Sequence, residues 1–148
     1  MAAWLTLRGR EFLGSPELLA WDSWSDEIFW TDHKGLHESR HRPDLVGIRP
    51  DGRPIAVEVE LAPKSIARLR GILYRHAVWR GSGKTNGVWY VCGDENGCER
   101  IKKAATTGNW FTAAAVGLTV VLLDTIRAQA IEMREEDPQG AGFRRAAA

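Results

Sequence analysis

Cysteine, net charge and long apolar runs are all scarce in this sequence. Two cysteines, Cys92 and Cys98, are too few for a disulfide framework and favour a reducing compartment. A net charge of +1 excludes a uniformly basic surface, so any nucleic-acid surface must be local. No apolar run approaches the roughly 18 residues of a membrane span, and the N-terminus lacks the apolar core of a signal peptide. We therefore predict a cytoplasmic protein with no membrane partner.

The composition that is present is that of a globular domain. The chain has 148 residues, of which 44% are hydrophobic and 26% charged, which is enough for one domain with a real core. We predict a single domain over residues 1–148, with a lead segment at 1–20 and a flexible tail at 137–148. Most of the seven tryptophans are expected in the core.

Apolar periodicity and turn residues predict the order of elements. Ser15-Pro16 is typical of a helix start, Ser25 could cap a short helical run at 26–30, and residues 31–43 are polar and loop-like. Further on we predict a β-hairpin at 44–48 and 54–61, a helix at 64–79, a strand at 88–92, a helix at 98–107, a strand at 118–124 and a helix at 125–136. This order indicates an α/β sandwich around a mixed sheet, antiparallel in the hairpin and parallel where helices cross over.

Two acidic side chains share one face of the second hairpin strand. Because side chains alternate along a strand, Glu58 and Glu60 point the same way, about 6–7 Å apart, and repel each other unless a positive group separates them. Hairpin pairing brings Asp44 towards the same point, and Lys64 follows within a turn of the strand's end. Clustered carboxylates beside a lysine are the oxygen donors that a Mg²⁺ site needs. The alternative is an ordinary solvent-facing side of a strand.

Basic residues recur along the helix that follows the hairpin. Lys64, Arg68, Gly71 and Arg75 have i, i+4, i+7 and i+11 spacing and form one stripe. The stripe fits either a solvated helix face or a surface that follows phosphates.

Three histidines precede the hairpin at i, i+4 and i+8: His33, His37 and His41. This spacing would suit zinc on a helix, but Gly35 and the polar context favour a loop.

The segment around the carboxylates resembles a nuclease superfamily. Arg42-Pro43-Asp44, followed by Glu58-Val59-Glu60, resembles the PD-(D/E)XK motif, whose α-β-β-β-α-β core carries the acidic pair on a hairpin. Glu60 stands in the motif's lysine position, an E-x-E version known in some restriction endonucleases, and Lys64 could supply the cation from the next helix. In this superfamily a glutamate on the first helix often joins the site, and Glu27 is the candidate here.

A closer resemblance covers roughly residues 21–107. The stretches "HRPDLVGIRPDGRPIAVEVELAPKS", "RLRGIL" and "GVWYVC" resemble the nuclease-like region of actinobacterial replication-relaxation proteins, found on plasmids, phages and integrative elements. A winged-helix DNA-binding segment usually precedes that region, and "WLTLRGREFLG" resembles only its last part. We expect this chain to represent the nuclease-like domain alone.

The resemblance implies a fold, a reaction and a set of residues. The fold is a restriction-endonuclease-like α-β-β-β-α-β core with a mixed central sheet flanked by helices. The function is a Mg²⁺- or Mn²⁺-dependent DNA endonuclease of a mobile element. Metal binding is expected from Asp44, Glu58 and Glu60, catalysis from these together with Lys64 and Glu27, and DNA binding from Lys64, Arg68, Arg75 and Lys84.

Two alternatives stay open beside the nuclease. One is a catalytically inactive DNA-binding or assembly module on the same fold, and the other is a factor that binds a host protein through exposed tryptophans. DNA is the expected partner, and a homodimer or a protein partner within a mobile-element complex is also left open.

Overall fold

Seven strands and four helices follow one another along the described part of the chain. The computed structural model describes residues 11–13, 24–49, 51–106 and 112–136. In chain order the elements are β1 (Glu11–Leu13), β2 (Asp26–Asp32), β3 (Gly35–His41), β4 (Leu45–Ile48), β5 (Pro54–Glu60), α1 (Ile66–Gly81), β6 (Val88–Cys92), α2 (Glu95–Thr106), α3 (Ala113–Val116), β7 (Leu118–Leu122) and α4 (Leu123–Glu136).

The central sheet is mixed, as the sequence predicts. Its strands lie in the order β1-β4-β5-β6-β7. β4 pairs antiparallel with β1 and β5, whereas β5, β6 and β7 run parallel to one another. The helices between the parallel strands provide the long connections that parallel pairing requires. The predicted α/β class, with helices flanking a mixed sheet, is therefore confirmed.

Local sequence explains where the longest helix begins. Pro63 precedes α1, and the hydroxyl of Ser65 accepts a hydrogen bond from the backbone N–H of Arg68 at 3.2 Å, which is the geometry of an N-cap. Leu69 and Leu73 are fully buried on its inner face, as their helical spacing predicts.

The sheet separates two apolar layers. On one face, α1 and α2 pack over Ala56 and Tyr90 in the larger core. On the other face, Val57 and Val91 pack against Ile126 of α4. Since side chains alternate along β5, Glu58 and Glu60 lie on the same side as Ala56, beneath α1. This layer arrangement buries both carboxylates inside the protein.

The predictions for residues 26–43 are wrong. The run at 26–30 is not a helix but part of β2, and most of the predicted loop at 31–43 is β3; together they form a separate antiparallel hairpin. Its turn has recognisable chemistry, because Asp32 Oδ1 accepts the Lys34 N–H at 2.7 Å and Gly35 has a positive φ of 116°. The helix predicted from Ser15 and the tail at 137–148 lie outside the described residues.

The described helices are too short or too polar to cross a membrane.

The β2–β3 hairpin packs closely on α1 at a glycine. A Cβ added to Gly71 would lie 2.6 Å from the carbonyl oxygen of Phe29 in β2. Gly71 therefore permits the approach of the two backbones, which brings β3 to the sheet. The predicted basic stripe of α1 is interrupted at this point, since Gly71 is buried under the hairpin.

We expect Gly71→Ala to destabilise the protein by about 1–3 kcal/mol, because the hairpin backbone must move to admit the methyl group. Gly81→Ala is the matched control: it lies in the same helix, and a Cβ added there would have nothing within 4 Å. That change should be neutral or slightly stabilising, given the higher helix propensity of alanine. Thermal or urea unfolding of the two variants measures the difference, and equal stabilities would contradict the packing described.

Candidate functional site

A buried carboxylate with two histidine partners lies between the sheet and α1. Oε1 of Glu58 in β5 is 2.8 Å from Nε2 of His41, the last residue of β3, and 2.8 Å from Nε2 of His76 in α1. The side chains of His41, Glu58 and His76 are 11%, 6% and 0% exposed. Three separate elements thus converge on one oxygen, and we call the group the His41–Glu58–His76 cluster.

The electrostatics of the cluster favour an ionised glutamate and a neutral histidine. Burial acts to raise the pKa of Glu58, but the hydrogen bonds of His41 and His76 outweigh it and hold the pKa at about 2. Burial lowers the pKa of His76, and the charge of Glu58 opposes this only in part. A carboxylate and a neutral imidazole are the protonation states in which these side chains bind metal ions.

Two buried polar atoms beside the cluster lack a partner among the described residues. They are Nδ1 of His76 and the hydroxyl of Tyr90 in β6. Burial raises the pKa of Tyr90 well above its usual value, and the charges of Glu58, Glu60 and Asp44 raise it further. The Tyr90 hydroxyl therefore lies in the field of all three carboxylates. Buried polar atoms are nearly always hydrogen-bonded to protein, water or a bound group, so these two atoms have hydrogen-bonding capacity that the described protein groups do not use.

The cluster could hold a metal ion. Its ligand atoms, two imidazole nitrogens and one carboxylate oxygen, all lie within 4.8 Å of one another. This donor set fits a divalent cation, while nothing in it identifies Mg²⁺ specifically.

Asp44 lies next to this cluster but has a different partner. It precedes β4, and its Oδ2 accepts the backbone N–H of Val59 at 2.7 Å. Although the residue is exposed as a whole, partial burial of its carboxyl raises the pKa of Asp44; the Val59 hydrogen bond opposes the rise and the charge of Glu58 adds to it. Asp44 and Glu58 are therefore near enough to influence each other's charge.

Glu60 and Lys64 form a pair of their own. Glu60 is 6% exposed and lies on the same face of β5 as Glu58, as the alternation predicts. Its carboxylate accepts hydrogen bonds from the backbone N–H of Lys64 at 3.2 Å and from the Lys64 ammonium. The positive group next to Glu60 is thus the lysine of the following turn.

An open groove runs from the hairpin to the start of α1. Its volume is about 810 Å³, and Asp44, Lys64 and Arg68 are among the residues that line it. Trp30 and His37 contribute aromatic surface, with their rings stacked at 5.2 Å. Arg68 lies over the Trp30 ring, with its guanidinium carbon 5.5 Å from the ring centre. The groove offers cations and aromatic rings to a ligand beside Asp44.

The other two residues predicted to bind DNA have protein partners. Arg75 donates to Asp26 Oδ2 at 3.0 Å and also to the carbonyl of Glu27, which ties α1 to the hairpin. The ammonium of Lys84 lies 4.3 Å from the Trp79 ring centre, and burial lowers the pKa of this lysine. Arg75 therefore holds α1 and the β2–β3 hairpin together. Lys64 and Arg68 line the groove but Arg75 does not, so the groove follows only part of the predicted basic stripe.

Glu27 is placed apart from the cluster. It lies on β2 and not on a helix, opposite Arg40 in the hairpin register. Its side chain is exposed on the face of the hairpin opposite to buried Ile28. The prediction that it lies on the first helix is wrong.

Sequence reasoning missed His76 and assigned His41 to a loop. His76 falls on the buried stripe of α1, three residues after Leu73 and three before Trp79. A histidine on a buried helical stripe, next to a strand with inward carboxylates, is a signal that could have been used. The position of His41 could not be predicted without β3, which the sequence analysis assigned to a loop.

Comparison with protein-family models, with curated proteins and with solved structures finds no match for the chain.

Proposed function

We propose that the protein is a divalent-metal-dependent hydrolase of DNA phosphodiester bonds, related to the PD-(D/E)XK nucleases of mobile elements. The observation that carries the proposal is the His41–Glu58–His76 cluster, in which three metal-ligating atoms meet next to Asp44. Buried groups with perturbed pKa values beside a groove are characteristic of catalytic sites.

The order of the elements supports the same relationship. β1, β4 and β5 form three consecutive antiparallel strands of the sheet, α1 follows, and β6 then adds in parallel to β5. This order is compatible with the β-β-β-α-β part of the expected core if the β2–β3 hairpin is an insertion after its first strand. Glu58 and Glu60 lie on β5 of the β4–β5 hairpin, in agreement with the hairpin position that the resemblance implies for the acidic pair.

The reaction proposed is attack of a water oxygen on phosphorus, with cleavage of the bond to one sugar oxygen, which takes up a proton. A divalent ion bound at the cluster would activate the water and neutralise phosphate charge. Asp44 would accept a hydrogen bond from the attacking water at the wall of the groove. Lys64 would stabilise charge on the phosphoryl oxygens, since Glu60 fixes its position. Arg68 would bind a flanking phosphate.

A second candidate is a DNA-binding or assembly module without catalysis. One observation favours it: the carboxylates of Asp44 and Glu60 already accept hydrogen bonds from Val59 and Lys64. On this alternative the groove binds DNA and the cluster is a purely structural network.

Asp44→Asn separates the two candidates. In the proposed hydrolase it should reduce cleavage by about 100-fold or more, because the water loses a charged acceptor, while DNA binding persists. Asp124→Asn, on the exposed face of α4, is the control and should cleave like wild type. The assay follows supercoiled and single-stranded DNA with Mg²⁺, Mn²⁺, Zn²⁺ or chelator. Wild-type protein that binds DNA but leaves both substrates intact with every metal would support the module instead.

A further inference from the structure

We propose that the His41–Glu58–His76 cluster binds a first-row transition-metal ion of the Zn²⁺ type rather than Mg²⁺. The inference deepens the proposed function, because it names the metal of the same site. It gives His41 and His76 the role of ligands, which no part of the PD-(D/E)XK motif assigns to them.

The chemistry of the donors is the first argument. Mg²⁺ prefers a shell of oxygen atoms, usually one or two carboxylates with several waters. Imidazole nitrogens favour Zn²⁺, Co²⁺, Ni²⁺ and Cu²⁺, and two histidines with one glutamate form a common catalytic zinc site. Two of the three donor atoms of the cluster are imidazole nitrogens.

The spacing of the donors is the second argument. For metal–ligand bonds of about 2.0–2.1 Å, neighbouring donor atoms are separated by about 2.9–3.3 Å in octahedral or tetrahedral geometry. Each histidine Nε2 is 2.8 Å from Glu58 Oε1. The three donor atoms already lie within 4.8 Å of one another, so movements of the side chains alone could gather them around an ion. On coordination each Nε2 would release the proton that it now donates to Glu58, or pass it to Nδ1, because a metal-bound imidazole nitrogen carries no hydrogen.

The surroundings of the cluster are the third argument. One carboxylate and two neutral imidazoles leave a bound divalent ion with one net positive charge, which suits an anionic phosphate as a further ligand. The buried Tyr90 hydroxyl, which has no partner among the described residues, lies in the field of Glu58, Glu60 and Asp44. The Tyr90 hydroxyl would be a hydrogen-bond donor for a water or anion held beside the bound ion.

The test titrates chelator-treated protein with Co²⁺, whose visible absorption reports nitrogen-containing coordination. We expect one equivalent to bind, Zn²⁺ to displace it and a large excess of Mg²⁺ to leave it in place. His41→Gln and Glu58→Gln should weaken Co²⁺ binding by more than the roughly 10–100-fold that is typical of residues behind the ligands. His33→Gln is the matched control, since this histidine is exposed in the turn between β2 and β3. It should bind like wild type.

A second measurement needs no variant. The chain has four histidines, and imidazole nitrogen NMR of wild-type protein should show two of them perturbed by Zn²⁺. Displacement by Mg²⁺, or Co²⁺ binding that His41→Gln leaves unchanged in a folded protein, would overturn the inference. So would a spectrum in which no histidine responds. Cleavage is scored separately: bound metal without cleavage contradicts the hydrolase alone, and Mg²⁺-dependent cleavage unaffected by His41→Gln contradicts the metal assignment alone.

Discussion

Glu58→Gln should leave the protein folded and reduce DNA cleavage by at least about 100-fold. The amide keeps the shape of the side chain, and its oxygen can still accept hydrogen bonds from His41 and His76, so the network survives in large part. The charge that a divalent ion requires is lost, and loss of a direct ligand should cost more than the roughly 10–100-fold typical of residues behind the ligands. Cleavage rates and unfolding curves of the same preparation measure both effects.

Glu58→Ala, unlike Glu58→Gln, should lower the free energy of unfolding. It leaves the buried Nε2–H groups of His41 and His76 without an acceptor, at about 1–3 kcal/mol for each buried unsatisfied group. A total loss of about 2–6 kcal/mol is large against the roughly 5–15 kcal/mol of a typical domain. Glu38→Gln, on the exposed side of β3, should change neither property. If Glu58→Ala proved as stable as Glu58→Gln, the hydrogen bonds of the cluster would not be those described.

Lys64→Met is the second change with a large expected effect. Glu60 has a side chain that is only 4% exposed, and the substitution removes the ammonium that neutralises it. Removing one partner of a fully buried pair costs about 3–5 kcal/mol. Because the Lys64 side chain is 31% exposed and its backbone N–H still bonds to Glu60, we expect a smaller loss of about 1–3 kcal/mol.

The double variant Glu60→Gln with Lys64→Met provides the control. It removes the buried charge together with its partner, so most of the lost stability should return. The coupling free energy from the four unfolding curves isolates the interaction. A double variant that is no more stable than Lys64→Met would show that Lys64 stabilises the fold through its alkyl chain and not through Glu60.

Local signals were sufficient to predict the hairpin of β4 and β5, the longest helix and the parallel strands. Asp51-Gly52 marks the turn, the helical spacing of Leu69 and Leu73 indicates α1, and the apolar run at 88–92 is buried as expected of a central strand. The β2–β3 hairpin was missed because only one of its faces packs against the protein. Ile28 is buried and Trp30 partly so, but the residue between them, Phe29, is apolar and yet exposed. The sequence therefore lacks the alternation of apolar and polar residues that identifies a half-buried strand.

The candidate site could be predicted only in part. Alternation along β5 predicts that Glu58 and Glu60 share one face, and their common burial confirms it. It does not reveal that this face lies under α1, where His76 approaches Glu58 from a helix and His41 from the missed hairpin. The close packing at Gly71, which positions that hairpin, is a tertiary contact with no local pattern. The histidine partners of Glu58 could therefore be identified only from the three-dimensional fold.

The most direct test of the metal-centre account is anomalous scattering from crystals soaked in Zn²⁺, collected on both sides of the zinc absorption edge. We predict one peak within bonding distance of His41 Nε2, His76 Nε2 and a carboxylate oxygen of Glu58, with the same position empty in Glu58→Gln crystals. A zinc peak elsewhere, with His41 and His76 still hydrogen-bonded to Glu58, would contradict the account.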